Sequence, residues 1–230
     1  MTAARQIWAI LRKDIVLELR TKEMLISMFI FVMLTMVIFN YAFAAEKTDL
    51  TPFGGGMLWV AFTYTSLLGL NRSFSHEKDE NCLEGLLLSP MDRSYVFVAK
   101  VLGNLLFISI IELVTVPIFT VFFIRYNYAP NLLIFLAGLF LGSVAISTVG
   151  TFLATITVNT RISDMLFPIL ALPIMMPALT SIVIISGATM AGPITGITAD
   201  QIGAALQFLL GYDIVFLVVG YGIYDFVLGE

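Results

Sequence analysis

The chain has 230 residues, of which 59% are hydrophobic and only 12% charged, with a formal net charge of −4. A soluble domain carries about 25% charged residues, and a soluble fold of this length has no interior large enough to hide so much apolar surface. Composition therefore excludes an ordinary soluble domain, and the lone cysteine, Cys82, excludes an intrachain disulfide, a multi-cysteine metal site and a c-type haem attachment.

The first 22 residues mix charge and apolar character. Trp8, Leu11, Ile15 and Leu19 recur at helical spacing, with Arg5, Arg12, Lys13 and Arg20 among the polar positions. That pattern predicts an amphipathic helix over about 3–22, lying in the membrane interface with its basic side chains toward anionic headgroups. The plainer alternative is a topogenic flank that only sets orientation. The segment does not read as a secretory signal peptide, because the apolar run after it is too long and lacks a small-residue cleavage site.

A helix needs about 20 apolar residues to cross the hydrocarbon core. Six runs meet that length, at about 25–45, 54–73, 96–124, 131–158, 165–187 and 201–224. The expected fold class is all-α: one polytopic membrane domain over 1–230 with six transmembrane helices. Tyr41, Trp59, Tyr126, Tyr128, Tyr212 and Tyr224 sit near span ends and suit the interfaces, Trp59 the deepest of them.

Of the twelve Lys and Arg residues, ten fall on the side shared by the N-terminus, the second and fourth interhelical segments and the C-terminus. Only Lys47 and Arg125 fall on the other. The positive-inside rule puts the ten in the cytoplasm. The expectation is a bacterial inner-membrane, multi-pass protein with both termini cytoplasmic. A break of span five at its prolines into a re-entrant pair would flip the C-terminus.

The segment 75–95 is the longest polar stretch. Glu77, Asp79, Glu80 and Glu84 cluster on a polar side, Leu83, Leu86 and Leu87 share an apolar one, and Pro90 ends the run. This spacing fits a short amphipathic helix at the cytoplasmic surface, able to dock in a groove of a soluble partner, or equally a solvated loop with three buried leucines. His76 stands beside Glu77 in this loop and reads as a solvated side chain rather than a haem ligand.

Inside the spans, Glu112 and Asp213 are intramembrane carboxyls, and such groups are costly enough to face the bundle interior. Each reads either as a substrate-path or subunit-contact residue or as a hydrogen-bonded brace between helices. Pro168, Pro173 and Pro177 remove backbone donors from span five and predict a kink or hinge, the freed carbonyls being satisfied by neighbouring helices. Gly138, Gly142, Ser143, Ser147 and Gly150 line one face of span four at close-packing spacing. Met175 and Met176 read as packing residues. No phosphate-cradling Gly-x-x-x-x-Gly-Lys-Ser/Thr loop occurs, so any ATPase activity belongs to a partner. No catalytic or metal-binding set is visible, and nothing points to nucleic acid.

Several runs carry a family resemblance: Gly56-Met-Leu-Trp-Val-Ala, Leu70-Asn-Arg-Ser-Phe, Glu77-Lys-Asp-Glu-Asn-Cys-Leu-Glu-Gly-Leu-Leu-Leu-Ser-Pro90, Val98-Ala-Lys-Val101, Leu172-Pro-Ile-Met-Met-Pro177 and the close Tyr224-Asp-Phe-Val-Leu-Gly-Glu230. Together they resemble the CcmB family, the haem exporter B membrane subunit of the cytochrome c maturation ABC transporter. The departure is Glu80-Asn-Cys-Leu-Glu84, where family members often carry Asp-Gly-Ser-Leu-Glu. The resemblance implies a permease subunit whose segment around Glu77, Asp79, Glu80, Leu83, Glu84, Leu86, Leu87 and Pro90 is the coupling helix for a separate CcmA ATPase. It implies CcmC and CcmD as complex partners, CcmE downstream, membrane lipid around it, and a homodimer within the complex. The residues themselves leave open two copies or one copy beside a different membrane subunit. Haem would be cargo, ATP would act only through the partner, and no cofactor is bound covalently. Rival readings are an ABC permease for another cargo, such as a lipid-linked glycan or drug, a scaffold that moves nothing, and an intramembrane enzyme built on Glu112 and Asp213.

Overall fold

A computed structural model describes residues 3–44, 51–79, 92–123, 131–158, 160 and 163–227, with side chains left undescribed at 44, 75–79, 158, 163, 164, 193 and 225–227. Seven long helices account for nearly all of them, and no strand occurs among the described residues. They are α1 (Ala3–Thr21), α2 (Glu23–Ala44), α3 (Gly54–Asp79), α4 (Arg93–Phe123), α5 (Leu132–Val158), α6 (Ser163–Ala191) and α7 (Ala199–Val227). Helices α2 to α7 each hold a stretch long and apolar enough to cross a membrane. The protein is thus a multi-pass membrane protein. In hydrocarbon every backbone N–H and C=O must pair within its own segment, which is why these runs have no alternative to a helix.

Helix boundaries follow local chemistry. The Asp92 carboxylate accepts the Ser94 N–H at 3.0 Å and caps α4. Thr198 and Gln201 form a reciprocal capping box ahead of α7: the Thr198 N–H donates to Gln201 Oε1 at 2.9 Å and the Gln201 N–H to Thr198 Oγ1 at 3.4 Å. Span two extends further than its apolar run suggests, since α3 continues as helix through Asp79. Glu77 and Asp79 therefore lie in its last turn. Glu80, Leu83, Glu84, Leu86, Leu87 and Pro90 fall outside the described residues, as do Tyr126 and Tyr128.

Helix α5 occupies the centre and packs on α3, α4, α6 and α7. Glycine makes this possible. A Cβ on Gly142 would stand 2.4 Å from Trp59 Cη2 and 2.9 Å from Ile182 Cδ1, and one on Gly150 would stand 2.3 Å from Leu70 Cδ1. Helices α3 and α6 approach closest of all, where a Cβ on Gly55 would meet the Gly187 backbone nitrogen at 2.6 Å. Between helices that share an apolar solvent, such close approach supplies the dispersion contact that drives association. Outward faces carry large apolar side chains such as Ile30, Leu34, Leu113, Val121, Leu133 and Val218, as a lipid-facing surface requires.

Two of the aromatic side chains expected at the interfaces are interior. Trp59 is buried against Phe62, edge to face at 5.7 Å, and donates its Nε1–H to Ser186 at 2.7 Å. Tyr224 is buried beside Phe97, with its hydroxyl 3.2 Å from Thr155 Oγ1. Both found hydrogen-bond partners on other helices, which removes the reason for an indole N–H or phenol to seek water. Tyr41 is exposed, as expected.

Candidate functional site

Functional polar groups in a membrane bundle must sit where partners can reach them, so the interior polar side chains are the place to look. They lie mainly along the α4–α5 seam. Asn104 donates to Thr151 Oγ1 at 2.9 Å, Ser147 donates to the Val101 carbonyl at 2.7 Å, and Ser143 Oγ lies 2.6 and 2.8 Å from the two Glu112 carboxyl oxygens. The glycine-and-serine face of α5 thus does two jobs: glycines admit neighbouring helices, and serines pair with α4.

The two intramembrane acids differ. Glu112 is 4% exposed and held by Ser143. Asp213 is equally buried, on the inward face of α7 between Leu209 and Gly220, yet neither carboxyl oxygen has a hydrogen-bond partner among the described residues. The two acids are not joined into one site.

The three prolines do not break span five. Helix α6 is continuous from Ser163 to Ala191 with Pro168, Pro173 and Pro177 inside it. The Tyr212 hydroxyl of α7 donates to the Ile174 carbonyl at 2.8 Å, between two of the prolines, and the Thr180 hydroxyl donates to the Pro177 carbonyl at 2.8 Å. Neither acceptor is a carbonyl that the prolines free, which are those four residues before each proline, at 164, 169 and 173. Pro117 in α4 is a further interior proline. Met175 is buried, whereas Met176 is exposed on an apolar groove of about 600 Å3 between α3 and α6. Gly56, Trp59, Thr63 and Val183 also line this groove, which runs along the first half of α3 and the middle of α6.

A second polar centre lies where α1 meets the bundle, and the sequence pattern did not reveal it. Helix α1 turns Ile7, Ile10, Leu11, Asp14 and Glu18 toward the bundle, while Trp8 and Leu19, at 60% and 61% exposure, point away. Asp14 Oδ2 lies 2.9 Å from Lys100 Nζ of α4, and the lysine is only 3% exposed. Lys100 Nζ also stands 5.7 Å from the centroid of the Phe74 ring. Glu18 Oε1 accepts the Leu25 N–H at 2.8 Å, capping α2 across the corner. Arg72 of α3 donates to Ser27 Oγ at 2.8 Å and Glu23 Oε2 at 3.0 Å. The only available clue in the sequence was Lys100 itself, a lone cation inside an apolar run. Among the described residues no three of His, Cys, Asp and Glu come together as metal ligands would.

Six apolar spans, an inward-facing polar seam and an amphipathic helix clamped to one end define a multi-pass membrane protein. The family model described as CcmB protein matches residues 5–223, and the chain belongs to that family. It is 27% identical over 171 residues to heme exporter protein B of Rhodobacter capsulatus, covering 74% of this chain and 78% of the relative. It is 27% identical to heme exporter protein B of Pseudomonas aeruginosa, covering 74% and 75%. The corresponding protein of Bradyrhizobium diazoefficiens is 25% identical over 217 residues, 92% of each chain.

Proposed function

We propose that this chain is the permease subunit of an ABC complex of c-type cytochrome biogenesis in the bacterial cytoplasmic membrane. A separate CcmA-type ATPase would supply the energy, and the work would be release of haem-loaded CcmE or export of haem, with CcmC and CcmD in the same complex. The observation that carries this reading is the family match across residues 5–223, laid over six membrane-crossing helices. Proteins named heme exporter protein B are its relatives over 74% to 92% of the chain.

In this reading the α1 end of the bundle faces the cytoplasm, because the segments there hold ten of the twelve Lys and Arg residues. Both termini are then cytoplasmic. The segment between α3 and α4 emerges on that side. The acids Glu77, Asp79, Glu80 and Glu84 face the ATPase, while Leu83, Leu86 and Leu87 seat the helix in its groove and Pro90 ends it. Asp213, buried without a hydrogen-bond partner among the described residues, is the residue best suited to meet a group that arrives with haem or with a neighbouring subunit.

The test is the Leu83→Asp/Leu86→Asp double variant in its native membrane. It should insert at normal yield, fail to co-purify an ATPase, and abolish ATP-dependent release of haem-loaded CcmE. Normal recovery of the ATPase with the double variant overturns the coupling assignment. An unaffected CcmE step when the chain is deleted overturns the cytochrome c assignment and favours another cargo.

A further inference from the structure

Helix α1 is joined by the chain to α2 but packs chiefly on α4. The join is a corner at Lys22, whose φ of 57° makes it the only non-glycine residue in the left-handed region among the described residues. Left-handed geometry is strained for a residue with a Cβ, so this single residue sets the angle between α1 and α2. On the other side, α1 lies close along α4. A Cβ on Gly103 would come 3.5 Å from Leu11 Cδ1 and 4.0 Å from Asp14 Oδ2.

Two charge pairs strap this corner to the helices that flank the 80–91 segment. Arg72, eight residues before it, holds Glu23 and Ser27; Lys100, nine residues after it, holds Asp14. The straps are unequal. The Arg72–Glu23 side chains are 51% and 62% exposed, so water screens the pair and it yields easily. Lys100 and Asp14 are 3% and 13% exposed, so water screens this pair far less and it is harder to separate. A small cavity of about 50 Å3 opens between the straps, lined by Asp14, Glu23, Arg72 and Lys100 together with the apolar Leu17, Met24 and Phe107.

We propose that Lys100 is a positioning residue that makes α1 and α4 one rigid lever, pivoting at Lys22. A push on the 80–91 segment reaches the start of α4, and the buried pair carries α1 with it, while the exposed Arg72–Glu23 strap gives way. Helix α1 is then a moving arm of the transport cycle, and the interface helix transmits force as well as anchoring. This rests on the ATP-driven reading above.

The test uses the intact complex on a Cys82→Ser background. The Leu11→Cys/Gly103→Cys pair is oxidised in native membranes with Lys100 present and with Lys100→Met. The expected result is cross-linking at least tenfold slower with Lys100→Met, whose α1 is no longer held. In the same complexes, Lys100→Met should keep its yield and ATP hydrolysis within about twofold of the parent, and lose at least tenfold in haem released per ATP. The oxidised cross-link should restore that ratio, and reduction should remove it again. Equal cross-linking rates overturn the lever. So does a loss of haem release that the cross-link fails to restore, since that is the behaviour of a merely structural lysine. A parent complex with no ATP-dependent haem release at all defeats the proposed function instead, and the cross-linking rates still decide whether Lys100 holds α1 to α4.

Discussion

Glu112 and Asp213 show how little the residue type says about its role in a membrane. Both are 4% exposed, but among the described residues only Glu112 has a hydrogen-bond partner, the Ser143 hydroxyl. That hydroxyl also lies 2.8 Å from the Leu139 carbonyl, and its one proton is shared between the two acceptors. Ser143→Ala should lower stability by about 1–3 kcal/mol, because a buried polar group loses its partner. Thermal unfolding in detergent reads this, and an unchanged midpoint would show that Glu112 finds another partner. Asp213→Val should act in the opposite sense, since it removes a buried group that has nothing to lose. A raised midpoint with impaired haem release would mark Asp213 as a residue kept for function. A lowered midpoint would mean that its carboxyl is paired in the assembled protein.

At the scale of the element, close approach is set by specific neighbours. The Gly142 position is filled by the Trp59 ring, so Gly142→Ala should cost about 1–3 kcal/mol through overpacking. Gly203 in α7 faces open space, and Gly203→Ala should be neutral or slightly stabilising, with better helix propensity. Equal effects of the two would contradict the packing of α5 against α3. Helix α6 stays continuous through three prolines, with the Tyr212 hydroxyl reaching it from α7. Tyr212→Phe should therefore weaken the α6–α7 pair by about 1 kcal/mol, the net worth of one such bond. It should also raise hydrogen exchange around Ile174 ahead of the rest of the bundle. The reentrant break that a three-proline span permits does not occur, since one helix runs unbroken from Ser163 to Ala191.

For the whole molecule, six spans place the two ends of the chain on one side of the membrane. With Cys82→Ser as background, Arg161→Cys should react with an impermeant thiol reagent only after the membrane is opened, and Glu46→Cys in intact cells. The reverse pattern would invert the orientation that the basic residues set. The same arrangement gathers the α1 corner, the Lys100–Asp14 pair and the ends of the 80–91 segment at one end, and the apolar α3–α6 groove toward the other. A push at the first end can reach the second only through the helices themselves.

The sequence by itself determined the six spans, the amphipathic helix α1 and the small-residue face of α5. Hydropathy and helical period are sums over neighbouring residues, and they need no knowledge of the rest of the chain. It also singled out Glu112, Asp213 and the prolines of α6, since each is an exception within an apolar run. Only the tertiary structure decided what those exceptions meet: that Glu112 is held by Ser143 while Asp213 has no hydrogen-bond partner among the described residues, that Trp59 and Tyr224 point inward, and that Asp14 pairs with Lys100. Such pairings join residues 14 and 100, or 59 and 186, across helices whose packing is fixed by shape. No local pattern encodes which two faces will meet.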